Sequence, residues 1–238
     1  MKIEIWADFV CPFCYIGKRR LEAALENFPH RDDVFIEYKS YQLDPTAHHI
    51  PDKDFYETYS ERKGISLEQT IEMNQEIYEQ ALAAGLDFQL EKMKYTNTFD
   101  AHRIAQYARR KNKDAEIAER FLHAYFSEAK LLSDHDTLIS LAAEVGLDAR
   151  EVKQVLQSKK YTNQVNDDID VAEQLAVETV PFFVFNEKYA VPGTQTAELF
   201  QAALEKVWEE EQKEPVFQTT GKSKAKTTYC TGESCEDG

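Results

Sequence analysis

Long apolar runs are missing from this chain. The longest uncharged apolar stretches, such as Val180-Pro181-Phe182-Phe183-Val184-Phe185, are far too short to cross a bilayer. A basic stripe is missing too. Net charge is −15, and the apolar-patterned part of the chain carries no cluster of Lys and Arg that would mark a nucleic-acid footprint. The first residues, Met1-Lys2-Ile3-Glu4-Ile5-Trp6-Ala7-Asp8, lack the continuous apolar segment and small-residue cleavage site of a signal peptide. The expectation is therefore an intracellular, cytoplasmic protein with no membrane partner. Cysteine is scarce, with four in 238 residues. A chain of this length can bury a core without disulfide staples. No internal repeat is visible.

The four cysteines fall into two close pairs, Cys11/Cys14 and Cys230/Cys235. In a reducing compartment such pairs point to transient, catalytic disulfides more than to a framework. The first pair is the most informative. Cys11-Pro12-Phe13-Cys14 follows a short alternating run, Ile3-Glu4-Ile5-Trp6-Ala7, and opens an amphipathic stretch. A C-x-x-C at a helix start does redox chemistry, whereas in a loop the same spacing more often holds zinc. The helix N-terminus offers free N–H groups and partial positive charge. Both favour the thiolate, which is the attacking species. Pro12 fits the first helical turn, where a missing N–H costs nothing.

The pattern along the chain predicts βαβ, then helices, then αββα. Residues 2–8 read as a strand, and a helix runs from about Pro12 to Asn27 until Pro29 stops it. Residues 34–41, rich in β-branched and aromatic side chains, read as a second strand. From about 51 to 160 only helix signals follow one another. Ser66-x-x-Gln69 is a capping box before Ile71, Ile77 and Ala81, closed by Gly85. Thr98 and Asp114 are the expected caps of the next two helices, Ser133 precedes another, and Asp148-x-x-Glu151 opens the last. A helix with Val165, Ile169, Ala172 and Leu175 then leads to a hairpin, Phe182–Phe185 and Lys188–Val191 about an Asn186-Glu187 turn. A final helix carries Phe200, Ala203, Leu204, Val207 and Trp208. Beyond about residue 211 apolar periodicity is lost and the sequence reads as a polar tail. The expected units are 1–50, 51–160, 161–212 and the tail 213–238.

This order, with its C-x-x-C after the first strand, resembles an α/β thioredoxin fold with an inserted all-helical domain, as in the DsbA family and its FrnE-like branch. Four segments carry the resemblance: Asp8 to Gly17 around Cys11-Pro12-Phe13-Cys14, Asn97 to Arg103, the Ala124-Tyr125-Phe126 region, and Val180 to Phe185. It covers about residues 1 to 210. The resemblance implies an exposed Cys11 as nucleophile and a more buried Cys14 as resolving thiol. It implies that Pro181 is cis and faces the pair, with Val180 pairing to a substrate backbone beside Pro12 and Phe13. Some FrnE-like proteins carry a C-x-x-x-x-C tail, so Cys230 and Cys235 become an auxiliary dithiol; about 20 polar residues span on the order of 25 Å. In the loop Val191-Pro192-Gly193-Thr194-Gln195, Pro192 and Thr194 stand where the family usually has small residues. The implied activity is thiol–disulfide oxidase, isomerase or reductase. Its partners are protein or peptide disulfides and low-molecular-weight thiols such as glutathione or bacillithiol, with no cofactor and no metal.

Other readings stand beside this one. The two cysteine pairs together would make a four-thiolate zinc site, although such ligands normally sit on knuckles and not at opposite ends of a chain. His102 and His123 have no partner identifiable from sequence and read as packing or solvent-facing; His48-His49 reads as a loop pair. Asn97, Asp100 and Arg103 serve capping and ion pairing as readily as substrate contact. Phe13, Trp6 and Tyr15 are candidates for an apolar substrate surface, with Trp6 better suited to packing. The kappa-class glutathione transferases and 2-hydroxychromene-2-carboxylate isomerases share the layout but carry Ser where Cys11 stands. A redox-independent holdase would use the apolar surface alone.

Overall fold

The computed structural model describes residues 1–48 and 53–213. Strand β1, Lys2–Ala7, lies at the centre of a four-stranded sheet of order β2-β1-β3-β4. Helix α1, Pro12–Glu26, follows it, and β2, Phe35–Ser40, returns parallel to β1 from Lys2↔Phe35 to Ala7↔Ser40. On the other side β3, Phe182–Phe185, runs antiparallel to β1, and β4, Tyr189–Pro192, antiparallel to β3. The hairpin turn holds Asn186 and Glu187 at φ 48° and 57°, the double positive φ that matches a two-residue turn to strand twist. The Lys2 N–H donates to Asn186 Oδ1 at 2.6 Å, which ties the turn to β1.

Both faces of β1 are covered, which is why Trp6 is buried as well as Ile3 and Ile5. On one face α1 packs against α9, Ala197–Lys213, and the Phe183 and Phe200 rings meet edge-on at 4.7 Å. On the other lies α8, Thr162–Gln174, whose Asp168 carbonyl accepts the Trp6 indole N–H at 2.9 Å.

Between β2 and α8 come α2 Phe55–Lys63, α3 Leu67–Ala83, α4 Phe99–Arg109, α5 Asp114–Phe126, α6 His135–Glu144 and α7 Ala149–Leu156. No strand interrupts them among the described residues. They build a second core around Ile104, Phe121, Tyr125, Phe126, Leu141 and Val152. Burying each such side chain contributes about 1.5–3 kcal/mol. Phe9, Tyr15 and Ile16 belong to this helical core, so it extends onto α1.

The caps show where local signals were read well and where a neighbour took the role. The Ser66–Gln69 box is formed in both directions, at 3.1 and 2.9 Å. Asp148 caps α7 through the Arg150 and Glu151 N–H groups. Thr98 makes no side-chain cap; Asn97 Oδ1 accepts the Phe99 N–H at 2.9 Å instead. Asp114 is the first residue of α5 and not its cap, and its carboxyl accepts the Tyr38 N–H under partial burial, which raises its pKa. Asp134 caps α6, while Ser133 accepts the Thr96 hydroxyl at 2.7 Å. Ile71 and Leu175, expected on packed faces, are exposed. The packed row of α3 is Thr70, Asn74 and Ala81, which is narrower than the apolar pattern, and α8 has already ended at Gln174.

Candidate active site

The chain leaves β1 through a turn closed by the Cys11 N–H on the Asp8 carbonyl at 3.1 Å. Cys11 is the N-cap of α1, with φ −90° and ψ 113°, and Pro12 follows at the first helical position. Cys14 sits one turn on, its N–H donating to the Cys11 carbonyl at 3.1 Å. Both cysteines are free thiols. Opposite them the Val180–Pro181 peptide is cis, and the Cys11 thiol donates to the Val180 carbonyl at 3.4 Å.

One hydrogen bond ties this loop to the loop after β4, and three contacts hold the two against α1. The Gly193 N–H donates to the Pro181 carbonyl at 2.8 Å. The Thr194 hydroxyl donates to the Phe13 carbonyl at 3.0 Å, and Arg20 reaches the Thr194 carbonyl at 3.3 Å. Thr194 in the loop after β4 thus braces the dithiol helix. The third contact is steric. A Cβ on Gly17 would lie 3.0 Å from Pro181 Cγ and 3.4 Å from Phe183 Cζ. Glycine in the middle of α1 lets the cis-proline loop approach.

One expectation needs correction. Cys11 was to be exposed and Cys14 buried, yet both are 3% exposed. Val180 folds over Cys11, and Tyr59 of α2 is near enough to interact electrostatically with its sulfur. Burial pushes the Cys14 thiol well above its ordinary pKa, and the adjacent Cys11 adds to this; the Asp8 N–H, which hydrogen-bonds the Cys14 sulfur, works against it. Trp6 and Tyr15 are fully buried, so neither offers a substrate surface. Pro12 and Phe13 are partly exposed.

The remaining candidates are structural where they are described. Asn97 donates to the Pro45 and Ala47 carbonyls, and Arg103 holds Asp100 and the carbonyls of Val155, Ser158 and Lys160. His123 pairs with Glu128 at 3.1 Å on the surface, and the exposed His48 offers its carbonyl to Asn97. His49, Cys230 and Cys235 lie outside the described residues. Among those described, no group of three or more His, Cys, Asp or Glu side chains could hold a metal ion. No described helix is long and apolar enough to cross a membrane.

His102 has a partner that sequence did not reveal. Its Nε2 lies 3.3 Å from Asp8 Oδ1, and its ring stacks on Phe9 with centroids 4.6 Å apart. Both side chains are buried, and Asp8 Oδ2 also accepts the Leu43 N–H at 2.8 Å. The available signal was a polar residue on the apolar face of Ala101, Ile104 and Ala108, together with a carboxylate three residues before Cys11.

A mixed four-stranded sheet, a dithiol at the N-terminus of the helix after β1 and a cis-proline facing it define a thioredoxin-type redox fold. The chain belongs to the DSBA-like thioredoxin domain family, whose model matches residues 2–205. It is 36% identical to a probable DsbA oxidoreductase from Streptomyces coelicolor, with a TM-score of 0.83 over 88% of this chain and 91% of that one. It is 27% identical to YwbO of Bacillus subtilis (strain 168) over 204 residues, 85% of this chain and 94% of that protein. A cytosolic disulfide reductase, DsbM from Pseudomonas aeruginosa, solved with glutathione, shares the fold at 14% identity and a TM-score of 0.57, over 90% of this chain and 98% of that one.

Proposed function

We propose that the protein is a cytoplasmic thiol–disulfide oxidoreductase of the FrnE-like branch, acting on protein, peptide or low-molecular-weight disulfides. The observation that carries this reading is the Cys11 sulfur at the head of α1, 3.4 Å from the carbonyl preceding cis-Pro181, with a free Cys14 one turn away. A helix N-terminus is the end at which an anion is favoured. Cys11 thiolate attacks one sulfur of a substrate disulfide, forming a mixed disulfide and releasing one substrate thiolate. Cys14 then attacks Cys11, closing the Cys11–Cys14 disulfide and releasing the second thiolate with its proton. Two electrons pass to the substrate; oxidation of a substrate dithiol is the same path reversed, and in isomerisation of a disulfide another substrate thiolate, in place of Cys14, displaces Cys11 from the mixed disulfide.

Phe13 and Pro12, partly exposed beside the pair, would meet the substrate's side chains, and the Val180–Pro181 main chain would pair with its backbone. The helical insertion, taken as 51–160, brings Tyr59 of α2 within electrostatic reach of Cys11. Neither a metal nor an organic cofactor enters the scheme. Cys230 and Cys235 are assigned as an auxiliary dithiol that exchanges with the first pair.

The test is trapping with glutathione disulfide and with a reducible protein such as insulin. Cys14→Ser should accumulate a Cys11 mixed disulfide, and Cys11→Ser should form none and lose turnover. Turnover surviving Cys11→Ser refutes the assignment. Suppression of aggregation that survives replacement of both cysteines would favour a holdase. A Cys11 cross-link to Cys230 or Cys235 in the Cys14→Ser protein tests the auxiliary pair.

A further inference from the structure

We infer that Thr194, in the loop after β4, is a positioning residue for Cys11: its hydroxyl fixes the Phe13–Cys14 peptide, whose N–H serves the Cys11 sulfur once that sulfur is a thiolate. The inference rests on the dithiol reading above and deepens it with a residue that touches neither sulfur.

The Thr194 hydroxyl donates to the Phe13 carbonyl at 3.0 Å. That carbonyl belongs to the same peptide group as the Cys14 N–H, which donates to the Cys11 carbonyl at 3.1 Å. In an α-helix each carbonyl takes the N–H four residues on, so α1 does not need the hydroxyl in order to form. The added bond holds the plane of one peptide, the one that joins Phe13 to Cys14. It also polarises that peptide, because hydrogen bonds in series strengthen one another.

Cys11 is the N-cap of α1, and Cys14 is the third helical residue. An N-cap side chain ordinarily accepts the N–H of the second or third helical residue. The Cys11 thiol makes no such bond; its S–H donates to the Val180 carbonyl at 3.4 Å. Ionisation removes that donor. A thiolate only accepts, and a carbonyl oxygen facing it repels it. The sulfur then finds its donors at the helix end, where an anion is favoured. The Cys14 N–H is one of them, and Thr194 holds its peptide.

The loop that carries Thr194 is itself held on both sides. The Gly193 N–H donates to the Pro181 carbonyl at 2.8 Å, and Arg20 Nη1 donates to the Thr194 carbonyl at 3.3 Å. Two adjacent residues thus bind the two sides of the site, Gly193 the cis-proline loop and Thr194 the dithiol turn. Arg20 ties the pair back to α1.

The attack keeps its balance. The Cys11 thiolate sulfur bonds to one substrate sulfur, the substrate S–S bond breaks, and the other sulfur leaves with the electron pair as a thiolate. Thr194 favours the thiolate that starts this step, and so favours the reduced protein over its Cys11–Cys14 disulfide.

The reference for the test is the full-length chain with Cys230→Ser and Cys235→Ser, so that one dithiol equilibrates with glutathione. Thr194→Val keeps the side chain's shape and drops the donor; Thr194→Ser keeps the donor. One hydrogen bond sets the scale, so Thr194→Val should shift the glutathione equilibrium by about 3–10-fold toward the disulfide. Alkylation of Cys11 by iodoacetamide at neutral pH should slow by about 3-fold, since only the thiolate reacts. The reduced form of Thr194→Val should melt earlier than the reduced reference, with the oxidised form unmoved. Thr194→Ser should stay within about twofold of the reference in both measurements.

A brace with no bearing on the sulfur would lower both melts alike and leave the glutathione equilibrium where it was; that result overturns the inference. So does a Thr194→Ser protein shifted as far as Thr194→Val. Should Thr194→Val not fold, Thr194→Ala takes its place: a shift in alanine and none in serine supports the inference, and equal behaviour overturns it. A reference protein that exchanges no disulfide with glutathione removes the dithiol reading and the inference with it, whereas a reference that exchanges and a Thr194→Val protein that matches it strike the inference alone.

Discussion

Replacing Gly17 by alanine sets two effects of known size against each other. Gly17 sits inside α1, where alanine is favoured over glycine by about 1 kcal/mol. In open surroundings Gly17→Ala would therefore stabilise the protein. Here the added methyl would lie 3.0 Å from Pro181 Cγ and 3.4 Å from Phe183 Cζ. Carbon atoms prefer about 3.5–4.0 Å, so Pro181 must retreat by about half an ångström. It cannot swing aside, because its ring is closed on the backbone and its carbonyl is held by the Gly193 N–H at 2.8 Å. Overpacking of this kind costs about 1–3 kcal/mol, which leaves a net loss of about 0–2 kcal/mol. For a domain of this size that lowers the melting temperature by at most about 8 °C. The larger effect is geometric. Moving Pro181 moves the Val180 carbonyl away from the Cys11 thiol, and a misplacement of about 1 Å can cost about 10²-fold in rate. Gly17→Ala should slow disulfide exchange by about 10-fold while lowering the melting temperature by no more than about 8 °C. Thermal unfolding and stopped-flow exchange on the same preparation decide it. A protein about 1 kcal/mol more stable with an unchanged rate would refute the close approach of the two elements.

Two further perturbations act away from the thiols. Ser66→Ala removes a capping box formed in both directions and should cost about 1 kcal/mol, a drop of about 2–4 °C, with exchange rates unchanged; a rate loss would mean that α3 reports to the active site. Glu128 is held at a pKa of about 2 by the hydrogen bond from Arg120, with Lys130 assisting and burial opposing. A lowered folded pKa stabilises above the unfolded value of about 4.3 and loses that stabilisation as pH falls toward the folded one. Glu128→Gln should therefore be less stable than the parent at pH 6, by under about 1 kcal/mol for so exposed a pair, and the gap should close between about pH 5 and pH 2. Denaturant melts across that range measure it, and a constant gap would contradict the assignment.

The elements that sequence revealed are those whose signals are local. The alternation of Ile3 and Ile5, the Ser66–Gln69 spacing and the Asn186-Glu187 turn each name their own partner within a few residues, and each formed. Cap assignments slipped where two capping residues stand side by side, as with Asn97 and Thr98 or Ser133 and Asp134, because tertiary partners decide which one turns inward. The dithiol was legible because its chemistry is packed into four residues. Its surroundings were not. Asp8 and His102 meet across 94 positions, and Gly17 gains meaning only when the chain returns with Pro181. Cys11 is buried for the same reason: its cover arrives from Val180.

The placement of the dithiol between two cores gives the helical insertion a role beyond bulk. Cys11 and Cys14 belong to the sheet core with Ile5, Trp6 and Val180, while Phe9, Tyr15 and Ile16, on either side of the pair in sequence, belong to the helical core. Phe13, between the two cysteines, packs against both. Helix α1 is therefore gripped from two sides within its first turns. The sheet supplies the cis-proline loop that faces Cys11, and α4 supplies the histidine that meets Asp8 beside Cys14. A shift of the helices against the sheet would alter the two sulfurs' surroundings differently, since each sulfur answers to a different set of contacts. On the proposed order of steps, attack through Cys11 and resolution through Cys14, substitutions where the insertion meets α1 should change the ratio of the two rates before they change overall stability.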